Sequence, residues 1–332
     1  MRVTKYGWLL GLMLPLSAAA QNVMTSSPYS MFGIGEITTG LYGSNTAMGG
    51  VSTGMRGKML LNMDNPAALT AIDTCRLLVE VSAFAKWEAY RSKGDDNQAF
   101  TGNCSRFAMA GRIIPRWYMA AGLTPYRSVG HYFQSTQELE GSPGSYYTSV
   151  FSGDGGLSKV YLSNAFLVLP SLSVGVNLGY IFGNMTQAET QSTMAISQKL
   201  FGQSFTADFG VQYSRRLGRE LNLTLGAVYG LPQTMRLEKT KTITDNSTSA
   251  SSNMKKVSQT LPQYIGAGAS VEYKKMTYAL DYMYRQYSSL TSADTRVTFH
   301  DSHELRAGAC YYPDGYSSSS IWQRMDYKIG FG

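Results

Sequence analysis

The stretch Asn45 to Leu69, NTAMGGVSTGMRGKMLLNMDNPAAL, decides how the rest of the chain is read. It is rich in glycine and methionine, keeps neither a helical nor a strand period, and ends in Asn65-Pro66-Ala67. An apparent export signal precedes it, and nearly every later segment alternates apolar and polar residues. A compact, irregular piece in that position fits a plug held inside a cylinder of strands. Taken alone it also fits a plain surface loop, because glycine-rich segments usually are loops.

Residues 1–20 read as a signal peptide. Arg2 and Lys5 give the positive start, Trp8 to Leu16 the apolar core, and Ala18-Ala19-Ala20 a small-residue cleavage site before Gln21. The apolar run is too short for a membrane-spanning helix. No cysteine follows the cleavage site, which argues against a lipid anchor there. Losing Arg2 and Lys5 lowers the formal net charge by two from +7, so the mature chain stays mildly basic.

Only 15% of the 332 residues are charged, well below the roughly 25% of an ordinary soluble domain. The 23 tyrosines and 34 glycines suit strands, aromatic girdles and tight turns better than helices. Cys75, Cys104 and Cys310 form no framework. A hairpin tip near Gly94 would leave Cys75 and Cys104 at different heights, outside bridging geometry.

Alternation with period two is strong. Leu77, Val79, Val81, Ala83, Ala85, Trp87 and Ala89 form one face, against Glu80, Ser82, Lys86 and Glu88. Phe205, Ala207, Phe209, Val211 and Tyr213 oppose Thr206, Asp208, Gln212 and Ser214. The pattern recurs at Leu221–Tyr229, at Tyr278–Tyr284 against Asp281 and Arg285, and at Leu305–Tyr311 against Glu304 and Arg306. It ends with Ile321, Met325, Tyr327, Ile329 and Phe331 against Arg324, Asp326 and Lys328. The one segment resembling a membrane helix, Ala165 to Gly183, is broken by Pro170-Ser171 and reads as a hairpin.

A soluble sandwich alternates too, so loop lengths decide. Tight turns fall near Pro115, Pro170, Leu217-Gly218, Lys274-Lys275 and Pro313-Asp314-Gly315. Longer polar connections are expected around Gln134 to Asp154, Gln187 to Gln203, Lys239 to Ser258 and Leu290 to Asp301. Short and long links in strict alternation are the mark of an outer-membrane barrel. Lipid offers no hydrogen-bond partner, so a sheet that spans it must close on itself. The reading is therefore all-β: a transmembrane antiparallel β-barrel at 73–332, with an N-terminal hatch at 21–72. About eleven strands are expected, an odd number where single-chain bacterial barrels are normally even. That points to a C-terminally incomplete copy or a miscount by one.

Here the residues resemble the FadL-type outer-membrane transporters of long-chain fatty acids and other hydrophobic compounds. The resemblance rests on Ala47-Met48-Gly49-Gly50 and Asn65-Pro66-Ala67-Ala68-Leu69, then on Gly155-Gly156-Leu157-Ser158 and Leu172 to Gly183. Leu261 to Tyr284 and His303 to Gly308 fit the family's late strands. Ser27-Pro28-Tyr29-Ser30 and Phe32-Gly33 are similar to a branch found in Bacteroidetes-type bacteria. What this implies is a fourteen-stranded barrel with an N-terminal hatch, lacking three strands here. It also implies passive uptake, in which a ligand binds in the barrel and leaves sideways beside a kinked strand after the hatch shifts. The location implied is the outer membrane of a Gram-negative bacterium, with hydrophobic small molecules such as fatty acids and membrane lipid as partners, and a monomeric state.

Asn65, Pro66 and Ala67 are then the hatch motif, or else an ordinary turn before the first strand. Met48, Met55, Met59 and Met63 are candidates for an adaptable ligand lining, although methionines more often fill gaps. Arg306, Arg324 and Lys328 fall on the expected inner face, where they fit either an acid head group or a structural ladder with Asp281, Glu304 and Asp326. His300-Asp301-Ser302-His303-Glu304 puts its histidines on opposite faces of a strand, a poor zinc geometry. No cofactor, metal or nucleic-acid motif is present. Two other functions stay open: a non-transport barrel serving secretion or surface attachment, as in type IX systems, and an outer-membrane lipid hydrolase.

Overall fold

The computed structural model describes residues 25–38, 43–73, 77–92, 95–138, 141–142, 144–192, 194–245, 248–253, 256–290, 298–313 and 321–332. The signal peptide, Cys75 and Asp314-Gly315 lie outside them. In chain order the strands are β1 (Glu36–Ile37), β2 (Leu78–Ser92), β3 (Asp95–Ile114), β4 (Trp117–Glu138), β5 (Tyr146–Leu169) and β6 (Leu172–Gln191). They continue with β7 (Met194–Leu217), β8 (Leu221–Gly230), β9 (Gln233–Asp245), β10 (Thr248–Asn253), β11 (Val257–Leu261) and β12 (Tyr264–Tyr273). The last are β13 (Met276–Arg285), β14 (Ser302–Tyr311) and β15 (Tyr327–Phe331), with a single helical turn α1 (Ile321–Arg324) before the last. No helix among the described residues is long and apolar enough to cross a membrane.

All fifteen strands belong to one antiparallel sheet. Its continuous path, β2-β3-β4-β5-β6-β7-β8-β12-β13-β14-β15, has the eleven staves counted from the alternation. The total is larger by four: β1 is an added segment on β4, β10 is the return strand of the hairpin on β9, and two expected staves are each split by a proline, which adds β9 and β11. Leu231-Pro232 separates β8 from β9, and Pro262-Gln263 separates β11 from β12. A proline donates nothing to a ladder, so pairing stops there and resumes beyond it.

The outward face is apolar where lipid would lie. Phe205, Phe209, Val211 and Tyr213 of β7 are exposed, while Thr206, Asp208 and Gln212 between them are buried. The same holds for Leu280 against Asp281 on β13. Rings mark both edges of this belt: Trp117 stacks on Phe166 near the short turns, and Tyr180 packs on Phe182 and Phe205 at the other edge. From Tyr213 to Phe205 the strand runs eight residues, about 26 Å along its own axis at some 3.3 Å each. At the tilt of about 40° usual in outer-membrane barrels that is roughly 20 Å of height, most of their apolar band of about 25 Å.

Two expectations change. The connections around Gln134 to Asp154, Gln187 to Gln203 and Lys239 to Ser258 are not loops. The strands run on through them, as β4–β5, β6–β7 and β9–β10. Both faces are wet there, so threonines, serines and glutamines replace the alternation without losing strand propensity. Ile321 to Arg324 are not part of the last strand either. Tyr327 donates its hydroxyl to the Trp322 carbonyl across the helical turn, and pairing with β14 begins only at Tyr327.

Lipid-facing charge tests this placement. Leu280→Arg, at mid-belt, is expected to cost about 2–4 kcal/mol and Phe205→Arg, at the girdle, about 0–1 kcal/mol. Urea unfolding from lipid vesicles measures both.

Candidate functional site

Residues 45–69 lie against the inner face of the sheet. Met48, Val51, Leu69 and Asn65 are fully buried. Where this segment comes closest to the wall, the inward wall positions are glycine. A Cβ on Gly175 or Gly210 would strike Pro66, one on Gly226 or Gly268 the Thr53-Gly54 backbone, and one on Gly308 or Gly330 the Met48 backbone. Several are neighbours in register, Gly175 with Gly210, Gly226 with Gly268, and Gly308 with Gly330. The result is a belt of bare backbone around the lumen.

Buried main chain needs partners, and the wall supplies them. The Asp281 carboxylate accepts from the amides of Ser52 (2.5 Å), Thr53 (2.7 Å) and Gly54 (3.4 Å). Ser270 donates to the Gly54 carbonyl (2.7 Å), and Gln212 to those of Thr53 (3.0 Å) and Met55 (3.2 Å). Asn65 accepts from the Ala67 amide, capping the short helix Pro66–Ala71, and donates to Thr53 and to Val211 of the wall. Pro66 fits the first position of that helix because its missing N–H has no partner there anyway.

A second segment closes a seam. β3 pairs with β4 only from Phe107–Leu123 down to Ile114–Trp117, although both strands extend much farther. Above that point β4 carries a bulge between Pro125 and Arg127. β1 takes the freed edge, pairing Glu36 with Ser128 and Ile37 with Arg127. Its approach is fastened by Ser30, which meets Gly130 (3.1 Å) and His131 Nδ1 (3.2 Å), by Ser26 on Thr101 and by Gln187 on the Met31 carbonyl. Ser30 and His131 are both buried, so this pair works as a fastener.

Between plug and seam lies a cavity of about 130 Å³. Asp64, Arg127, Lys159, Thr206 and Asp208 line one part of it, and Ile37, Met63, Leu231, Leu261 and Pro262 another. Lys159 and Asp208 pair at 2.8 Å, and the Thr206 hydroxyl has no partner. The cavity therefore touches both the β1-covered seam and the proline break in β8–β9 and β11–β12.

Of the four plug methionines Met63 lines this cavity, joined there by Met283 of the wall. Met48 and Met55 fill the contact between plug and wall with Ala279 and Cys310, and Met59 is 61% exposed. Arg306 lines the cavity while donating to the Gly50 carbonyl and to Glu304, which Arg285 also holds. Lys328 donates to the Ser44 carbonyl. Arg324 lies in α1, exposed and off the inner face, because the strand starts after it. Asp281 belongs to the plug amides rather than to a salt-bridge ladder. At the outer end, the Tyr284 hydroxyl and the Ser288 amide donate to Asp301 and hold its carboxyl below the usual carboxylate range. His303 meets the Tyr282 hydroxyl at 2.7 Å, and no group of three metal-ligating side chains occurs among the described residues. Sequence reasoning missed the glycine belt and Gln212. The signal was present as glycines at inward positions of successive strands.

Asp281→Ala is expected to free the Ser52–Gly54 amides at a cost of about 2–3 kcal/mol, seen as faster hydrogen exchange there, with Asp281→Asn intermediate. Gly226→Val should unseat the same segment by volume alone.

Several solved barrels share this architecture. The Pseudomonas putida toluene transporter TodX superposes with a TM-score of 0.55 at 11% identity, covering 87% of this chain and 83% of its own. The Ralstonia pickettii toluene transporter TbuX gives 0.53 at 15%, covering 82% of each. A FadL homologue from Pseudomonas aeruginosa gives 0.50 at 14%, covering 81% and 76%. At these identities the likeness is one of fold, that of FadL-like outer-membrane barrels. No curated protein matches the sequence. The BamG family profile spans residues 3–332, and a match over nearly the whole chain makes this protein a member of the BamG family.

Proposed function

We propose that the protein is a passive outer-membrane channel for hydrophobic or amphipathic small molecules, which leave the lumen sideways into lipid through the β3–β4 seam. One observation carries this reading. The cavity reaches Ile37, Tyr126 and Arg127, where β4 has lost β3 as a neighbour and β1 is the cover. Short turns face the periplasm and tall hairpins face outward in such barrels. TodX and TbuX are toluene transporters, which favours compact ligands. Size agrees, since an apolar cavity of about 150 Å³ holds one benzene. A greasy ligand released into lipid avoids an aqueous gap, so the step needs no energy source.

The plug does not have to leave for this route. Its ties to Asp281, Gln212 and Asn65 stay in place while β1, held by two residue pairs, moves aside. Those same ties favour a second reading, in which the barrel is a fixed part of a secretion or surface-attachment system and carries nothing through its lumen.

Full-length protein in liposomes, with native cysteines replaced by serine, separates the two. Paired cysteines at Ile37 and Arg127 should lower uptake of labelled toluene about tenfold when oxidised and restore it when reduced, as expected of a single gate. Equal uptake in both states would remove the seam from the route. No uptake of either toluene or oleate above empty liposomes would leave the fixed-barrel reading.

A further inference from the structure

The short-turn side carries a concentration of basic side chains that neither the plug nor the cavity uses. Arg112, Arg116, Arg215, Arg219, Lys274 and Lys275 are all exposed at or beside the turns β3–β4, β7–β8 and β12–β13. Acids on this side are fewer: Glu220, 3.5 Å from Lys274, Glu272, which accepts from Asn222, and Asp73 and Asp326 beside β2 and β15. The plug contributes a loop to the same side. The Asp73 amide donates to the Lys58 carbonyl (3.2 Å), which places Lys58-Met59 beside the chain entering β2, on the same side. Met59 is 61% exposed there, whereas Met48, Met55 and Met63 are buried.

We propose that this rim is a docking surface for an acidic segment of a periplasmic protein, with Met59 as its apolar contact. Charge complementarity names the partner's sign, since turns of one charge create a field that gathers the opposite one. The position of Met59 argues for a protein over a membrane. It lies on the plug, inside the barrel's circumference, where no bilayer lipid reaches. An apolar side chain ringed by polar ones is the usual anatomy of a protein contact. The inference needs only the orientation of the barrel and does not depend on what crosses the lumen.

The test uses full-length protein in zwitterionic nanodiscs and a fluorescent twelve-residue polyglutamate peptide. The peptide should bind in low salt, and a photoreactive benzoylphenylalanine at Met59 should crosslink to it. Arg112→Glu, Arg116→Glu and Arg219→Glu combined should weaken binding about tenfold or more, whereas Lys239→Glu with Lys241→Glu on the far side should not. Heat-modifiable migration in gels checks that each variant is folded. Binding untouched by the rim variant, or binding without crosslinking at Met59, overturns the proposal. So does a rim variant that, in detergent with added phosphatidylglycerol, loses that lipid by native mass spectrometry while still binding the peptide, which would assign the rim to lipid.

Discussion

Lipid accepts no hydrogen bonds, and every other feature of this molecule follows from where its polar groups go instead. From β2 to β15 the wall satisfies its main chain through one antiparallel ladder, and among the described residues those two end strands do not pair with each other. The segment inside satisfies its own by reaching wall side chains that point inward, above all Asp281, Gln212, Ser270 and Asn65's contact to Val211. That reach is possible because glycines remove the side chains that would hold the two backbones apart. Packing and hydrogen bonding are thus one arrangement, and neither survives without the other.

Fastening on this scale moves the flexible places elsewhere. They lie where the ladder itself is interrupted: at the Pro125 bulge, along the freed edge of β4, and at the prolines between β8 and β9 and between β11 and β12. Interrupted ladders have fewer bonds to break, so they open at lower free energy than the continuous wall. The cavity is bounded by both interruptions. Its lining is mixed, with the Lys159–Asp208 pair as well as Leu231 and Pro262, so it offers both polar and apolar contacts.

The ends of the cylinder differ in a way that bears on partners. Tall hairpins on one side are rich in serine and threonine, with the ladder Thr240–Asn253, Thr242–Ser251 and Thr244–Ser249 facing solvent. Short basic turns and the exposed Met59 lie on the other side. A protein of this build presents different chemistry to the two compartments it separates.

Much of this was legible in the residues. Alternation of greasy and polar side chains determined the strands, their inward and outward faces, the short turns and the count of eleven staves, because a period of two has only one structural meaning over ten residues. The singular chemistry of Asn65-Pro66-Ala67 marked a capped turn. What the tertiary structure alone decided is which inward residues meet the plug and which line open space. Asp281 looked like one charge among several, yet it holds three amides. Four methionines looked alike, yet one lines the cavity, two fill a contact and one faces solvent. The reason is that a face is a local property, whereas a partner is set by residues such as Ser52 and Asp281, more than two hundred positions apart.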